Sequence, residues 1–288
     1  MTQVDWSSRL GRIGVWAGVT AIDADAAAQI EGLGYGTVWQ GGSPTADLRR
    51  AEQLLDATET LVVATGIVNI WKADADELAD AYHRIVDRHP GRLVLGIGSG
   101  HREATPHRER PLDAVQRYLD VLDARGVPAH DRLVSALGPK MLAIAAERSA
   151  GTHPYLTVPS QTAEMRAALG DGVLIAPEQT VVLDEDDERA RTAARAFLHR
   201  YLQLANYANT MRRGGFGGDD IAGGGSDELV DRVVVHGSLA TVAGGIRAHL
   251  EAGADHVCVQ VIPAGGDLVA PLGVLAGELS DELTGRRD

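Results

Sequence analysis

The chain has 288 residues, 44% of them hydrophobic, with a single cysteine and a formal net charge of −13. That length buries roughly 75% of its unfolded surface, enough for a large core without staples, and one cysteine excludes an internal disulfide framework. The acidic balance argues against nucleic acid as a general partner, because phosphates are repelled over most of the surface. No run approaches the ~20 apolar residues of a membrane span.

Short apolar runs alternate with helical patterns along the chain. The first strand is predicted over Ile13 to Ala17, and an Ala-rich helix follows from Asp23 to Gly32 or Gly34. The second strand is Thr37 to Gln40, with a helix from Pro44 to Ala57, and the third is Leu61 to Asn69. The next helix starts at Asp74, with Glu77 three residues on as in a capping box, and ends near His89-Pro90-Gly91. Strand four, Leu93 to Ile97, precedes a helix from Arg108 to Arg125. Strand five is Leu133 to Leu137, followed by a helix at Lys140 to Arg148. Strand six, Thr152 to Thr157, is irregular because Pro154 removes a ladder donor, and a helix runs from Ser160 to Gly170.

Strand seven, Val173 to Leu183, is interrupted by Pro177, and a long helix spans Asp184 to Tyr207. The pattern then breaks into a glycine-rich stretch, read as an insertion loop over 206–230, with a short helix from Ser226 to Val235. A helix over Ser238 to Ala252 leads to strand eight, His256 to Ile262, in which Cys258 reads as a buried thiol. Parallel neighbours need crossovers, so this alternation demands a parallel sheet. The stretch Ala17-Gly18-Val19-Thr20 lacks the glycine fingerprint of a dinucleotide-binding open sheet. Eight units in this length favour one closed (β/α)8 TIM barrel spanning 1–288.

Four stretches in chain order resemble the bacterial luciferase-like family: Leu33-Gly34-Tyr35 leading to Trp39, Ala64-Thr65-Gly66-Ile67, Pro90-Gly91-Arg92 through Gly96-Ile97-Gly98-Ser99-Gly100, and Ala252-Gly253-Ala254-Asp255. Within that family the chain is most similar to the branch that uses coenzyme F420, a deazaflavin. The resemblance implies a (β/α)8 barrel with a mobile insertion near strand seven and a cofactor ring across the C-terminal mouth. It implies an oxidoreductase transferring a hydride between deazaflavin and a small organic substrate. An FMN-dependent monooxygenase is the alternative, and a non-catalytic flavin-binding barrel is a third. It also implies a homodimer; the lone cysteine and the absence of a basic-then-apolar leader fit a cytoplasmic protein.

Site residues follow from the same resemblance. The Gly66–Ile67 bond corresponds to a non-proline cis peptide, with Ile67 pressing on the rear of the ring and Asn69 close by. Gly98, Ser99 and Gly100 would admit the ring's carbonyl edge, since glycines let backbone amides approach closely. Ala136, Leu137 and Gly138 match a ribityl contact, and Thr157 a phosphate contact. Ser160, as a helix cap, would place free N–H groups on that phosphate. His101 can move protons near neutral pH, or it is a solvated loop histidine. Trp71 and Glu178 are candidates for the substrate pocket, with packing as the alternative for Trp71. No histidine spacing forms a metal motif. One departure stands out: where many deazaflavin dehydrogenases carry an acidic residue and a histidine after strand two, this chain has Gln40-Gly41-Gly42-Ser43.

Overall fold

The computed structural model describes residues 5–100, 109–263 and 266–285. Its strands are β1 (Ile13–Gly18), β2 (Thr37–Gly41), β3 (Val62–Gly66), β4 (Val68–Asn69), β5 (Leu93–Gly98), β6 (Arg132–Val134), β7 (Gly151–Thr152), β8 (Leu174–Ile175), β9 (Glu178–Val182), β10 (Val234–His236) and β11 (Val257–Val261). All pairings are parallel, in the order β10-β9-β11-β1-β2-β3-β5-β6-β7-β8, with β4 continuing β3 alongside β5. Strands β8 and β9 are two halves of one strand broken at Pro177, which has no N–H to give. On one edge Ala176 N donates to Thr152 O (3.0 Å) and Glu178 N to Pro154 O (2.9 Å). On the other, Asp255 N donates to Ile175 O and Cys258 N to Pro177 O, both 3.0 Å. These bonds close the ring, as the eight-unit pattern requires.

Helices α2 (Ala24–Gly32), α3 (Arg49–Asp56), α4 (Ala75–Val86), α5 (Pro111–Ala124), α6 (Pro139–Arg148), α7 (Pro159–Leu169), α12 (Leu239–Glu251) and α13 (Val269–Glu278) surround it. Helix α4 starts as its sequence indicates: the Asp74 side chain accepts from Asp76 N and Glu77 N. The largest core packs these helices on the outward strand residues such as Val15, Val38, Val63, Leu95 and Val259. The inward residues form a second core with Trp39, Ala64, Val94, Leu133, Leu174, Ala176 and Cys258.

Three terminal helices escaped the periodicity reading. Helix α1 (Trp6–Leu10) is too short to show a period, yet Trp6 and Leu10 close the N-terminal end of the barrel core. Arg9 fixes this plug, donating to Gly91 O (3.3 Å), Leu93 O (3.3 Å), His130 O (3.1 Å) and Asp131 Oδ1 (2.5 Å). At the other end α13 and α14 (Ser280–Thr284) follow β11.

The expected glycine-rich loop over 206–230 is corrected. Between β9 and α12 the chain forms α8 (Asp187–Leu202), α9 (Ala205–Arg213), α10 (Gly218–Ile221), a 3-10 turn at Ala222–Gly224, α11 (Asp227–Val233) and the edge strand β10. This cap has its own hydrophobic core, with Leu198, Met211, Phe216, Ile221, Leu229 and Val230 buried against Tyr155, Leu156, Val182 and Ile262 of the barrel mouth. Glycines mark its turns, not a structureless loop: Gly223, Gly224 and Gly225 take φ of 63°, 96° and 103°. Helices α8 and α11 fall within the helices predicted over Asp184 to Tyr207 and Ser226 to Val235; in the stretch between them apolar residues are spaced too sparsely among glycines and charges to read as helical periodicity.

Candidate functional site at the barrel mouth

The inward positions at the C-terminal ends of the strands divide into two halves. On β2, β3 and β5 they are Gly41, Gly66 and Gly98, which contribute no side chain. On β1 and β11, and in the chain after β7, they are Trp16, Gln260 and Tyr155, whereas Glu178 is the first residue of β9, in register with Cys258. Trp16 lies across the empty half. A Cβ on Gly41 would fall 2.0 Å from Trp16 Cζ2, and one on Gly66 2.6 Å from Trp16 Nε1. The Trp16 ring then meets Tyr155 at 5.2 Å between centroids. Tyr155 donates to Gln260 Oε1 (2.8 Å) and lies 3.2 Å from the Tyr201 hydroxyl of α8.

Above Trp16 the ends of β3, β5 and β6 form a ledge. Gly66, Ile67, Ser99, Gly100, Ser135, Leu137 and Gly138 are all partly exposed there. The Gly66–Ile67 peptide bond is cis. The Ile67 side chain lies over Gly98, where a Cβ would come 3.0 Å from Ile67 Cδ1 and 3.2 Å from Ser135 Cβ. Asn69 is buried: its Oδ1 accepts from Trp71 N (3.0 Å), and its amide nitrogen is 2.4 Å from where a Gly100 Cβ would sit. Trp71 is partly buried and donates from Nε1 to Ser99 O (2.7 Å), so it braces the ledge from outside. The shelf is poor in side chains because glycines stand at the ends of three strands.

The remaining predicted residues are placed unevenly. Ala136 is buried beneath the ledge, and the Leu137 carbonyl is taken by Arg213 Nη2 (2.8 Å) from α9. Thr157 is buried with its hydroxyl unpartnered. Ser160 does not cap α7, a correction to the sequence reading. The N-cap residue is Val158, whose N–H donates to Gln161 Oε1 (3.1 Å), while Ser160 is exposed one position inside the helix. Pro159 starts the helix, so the chain turns in two residues earlier than a serine cap requires. Gln161 N and Thr162 N both bond to Val158 O, which leaves the Ser160 N–H open. His101 lies outside the described residues. Glu178 sits across the ring from the ledge, 1% exposed.

Two buried imidazoles, His153 and His256, lie within the barrel, and a third, His249, lies outside it. His153 stacks on Trp39 at 4.3 Å and shares its Nδ1 proton with Ala176 O (2.7 Å), leaving Nε2 unpartnered 3.2 Å from where a Gly66 Cβ would be. His256 donates from Nδ1 to Gly11 O (2.8 Å) and accepts from Trp39 Nε1 (2.9 Å). His249 bridges Thr162 (2.8 Å) and Gln179 (3.0 Å) outside the ring. Burial pushes all three down to about 4, so they are neutral at pH 7. His153 therefore belongs to the core, as its apolar neighbours indicate. Gln40, beside the missing acidic and histidine pair, points out of the ring and is buried with its amide unpartnered.

Sequence reasoning gave no site role to Trp16, Tyr155, Gln260 or Ser135. One signal was available for Trp16. Glycines at the ends of two neighbouring strands leave room for a single large inward ring.

Two hollows lie away from the ledge: about 360 Å³ between α2 and α3, lined by Ile22, Arg50, Leu54 and Asp56, and about 330 Å³ between α8 and α10, beside His199 and Gly224. Among the described residues no cluster of His, Cys, Asp or Glu is arranged to hold a metal, and no helix is long and apolar enough to cross a membrane.

The chain is thus a closed parallel α/β barrel with a bare ledge at the ends of its third, fourth and fifth strands. Residues 23–256 match the luciferase-like monooxygenase family model, and the chain belongs to that family. No curated protein matches. Among solved structures, an F420-dependent secondary alcohol dehydrogenase with an F420–acetone adduct is 14% identical, with a TM-score of 0.73 over 96% of this chain and 99% of that one. The F420-dependent tetrahydromethanopterin reductase of Methanopyrus kandleri is 15% identical, with a TM-score of 0.69 over 93% and 98%. The FMN-bound oxygenating component of 3,6-diketocamphane monooxygenase from Pseudomonas putida is 14% identical, with a TM-score of 0.69 over 96% and 98%. At these identities the likeness is one of fold.

Proposed function

We propose that the protein is an F420-dependent oxidoreductase that transfers a hydride between the deazaflavin and a small organic substrate. One observation carries the reading: partly exposed Ile67 lies over Gly98 on a glycine ledge, which would support a flat ring from one side and leave its other side to the mouth. Gly66, Ile67, Gly98, Ser99 and Gly100 would hold the ring. Leu137 and Gly138 would line its chain, and the Thr157 hydroxyl with the open Ser160 N–H would meet its phosphate. When bound, a reduced deazaflavin supplies two electrons and a proton as hydride. The protein binds it, orients it and keeps water out.

Likeness to FMN enzymes keeps a flavin monooxygenase as the second reading. Fluorescence titration with each cofactor separates them. Saturable F420 binding without FMN binding is the expected result; FMN binding with oxygen uptake driven by reduced FMN would overturn it. A homodimer is proposed as well, and sedimentation velocity tests it.

A further inference from the structure

The chain is acidic overall, and most of its cations are tied to carboxylates. On the helices around the ring Arg125 pairs with Asp76 (2.6 Å), Arg148 with Asp120 (2.8 Å) and Asp123 (2.6 Å), and Arg166 with Asp255 (2.6 Å). On α8 Arg189 pairs with Asp184 (2.7 Å) and Asp186 (2.8 Å). One corner of the mouth differs. Arg213, the last residue of α9, reaches from the cap to the ledge, where its Nη2 donates to Leu137 O (2.8 Å) and to Thr210 Oγ1 (2.9 Å). Its Nη1 and Nε donate to nothing among the described residues. Arg212 beside it holds only a neutral amide, donating from Nη1 to Asn209 Oδ1 (2.9 Å). Lys140 follows Leu137 by three residues, in the first turn of α6, and its ammonium has no partner among the described residues. All three cations are exposed.

The helix ends at this corner do not offset them. Gln161, in the first turn of α7, donates to Thr210 O (2.9 Å), so α7 starts beside Arg213 as α6 starts beside Lys140. Both N-termini add partial positive charge, and the C-terminal end of α9 opposes them with only about half a negative charge. Three like charges on one corner repel one another. With 40 Asp and Glu in the chain, carboxylates are plentiful, yet among the described residues none is within ion-pair distance of Lys140, Arg212 or Arg213. The uncovered charge lies where the ledge ends, next to partly exposed Leu137 and Gly138.

We propose that Lys140, Arg212 and Arg213 bind the anionic arm of the cofactor, and that this arm carries several carboxylates beyond its phosphate. This rests on the deazaflavin reading above, in which Leu137 and Gly138 line the chain that leaves the ring. The count of charges favours a long arm. A phosphodiester carries one negative charge and would leave two of the three cations uncompensated, whereas an acidic tail matches them all. Because the side chains are exposed, each contact is made in water and is weak. Their sum decides which form of the cofactor the protein retains, and the contacts fade as salt screens them.

Fluorescence titration with three ligands tests this: the deazaflavin riboside, its 5′-phosphate, and F420 with its oligoglutamate tail. F420 should bind about tenfold tighter than the 5′-phosphate at ~0.01 M salt, and the gap should close at ~1 M, as the Debye length falls from ~30 Å to ~3 Å. Lys140→Gln, Arg212→Gln and Arg213→Gln should each weaken F420 binding by about two- to fivefold and leave the Kd of the riboside as it is. Arg50→Gln, which removes an exposed charge on α3, should alter neither. Equal affinity for F420 and the 5′-phosphate at low salt, or a tail advantage that survives all three substitutions, overturns the proposal and leaves the deazaflavin reading standing. Binding of neither F420 nor the riboside overturns that reading, and the proposal with it.

Discussion

Stability should pass through a maximum near pH 6.5, because buried groups of opposite kinds titrate on either side of it. His153, His249 and His256 bind protons near 6.5 when unfolded but only near 4 when folded. Between those values the unfolded chain holds three protons that the folded chain does not, so their contribution is present above 6.5 and lost as pH falls. Glu178 acts in the other sense. Its unfolded value is 4.5 and its folded value about 8. Between these the folded chain holds one proton more, and stability is lost as pH rises. Net uptake on unfolding is therefore about two protons from pH 4.5 to 6.5, and net release about one from 6.5 to 8.

At about 1.4 kcal/mol per proton per pH unit, stability climbs about 3 kcal/mol per unit on the acid side and declines about 1.4 kcal/mol per unit on the alkaline side. Set against a typical total of about 5–15 kcal/mol, the acid limb alone removes a large fraction of the stability. Urea midpoints followed by circular dichroism across this range, at constant m-value, measure both limbs. Glu178→Gln should steepen the acid limb to about 4 kcal/mol per unit and flatten the alkaline one. A midpoint that does not change on the acid side, or a glutamine variant that keeps the alkaline decline, would refute the burial account.

Three further outcomes follow from the packing. Gly41→Ala places a methyl 2.0 Å from Trp16 Cζ2 and should cost about 1–3 kcal/mol, with a changed tryptophan emission; adding Trp16→Leu should restore most of the loss. Gly98→Ala puts a methyl 3.0 Å from Ile67 Cδ1 on the ledge, and should weaken deazaflavin binding by about tenfold while leaving the urea midpoint nearly unchanged. Phe216→Ala empties the centre of the cap core and should cost about 3 kcal/mol or more. Hydrogen exchange should then accelerate over α8 to α11 more than in β1 to β5.

Local pattern determined much of this protein. Alternation of short apolar runs with capped helices gave the parallel ring. Pro177 marked the break in its seventh strand. The glycines at 66, 98 and 100, read with a family resemblance, located the ledge. These features are legible because strand period, proline and glycine act on the backbone where they stand.

Other features depended on which residues meet across the fold. Trp16 spans Gly41 and Gly66 only because parallel register brings three strand ends level. The glycine-rich cap is helical because Phe216 and Ile221 find Tyr155 and Val182 to pack on, partners far away in sequence. Glu178 and the three histidines are neutral because burial strips their hydration and, among the described residues, no opposite charge arrives beside them. Periodicity reports which face of an element is buried; whether a buried polar group finds a partner there is set by segments that the chain joins only on folding.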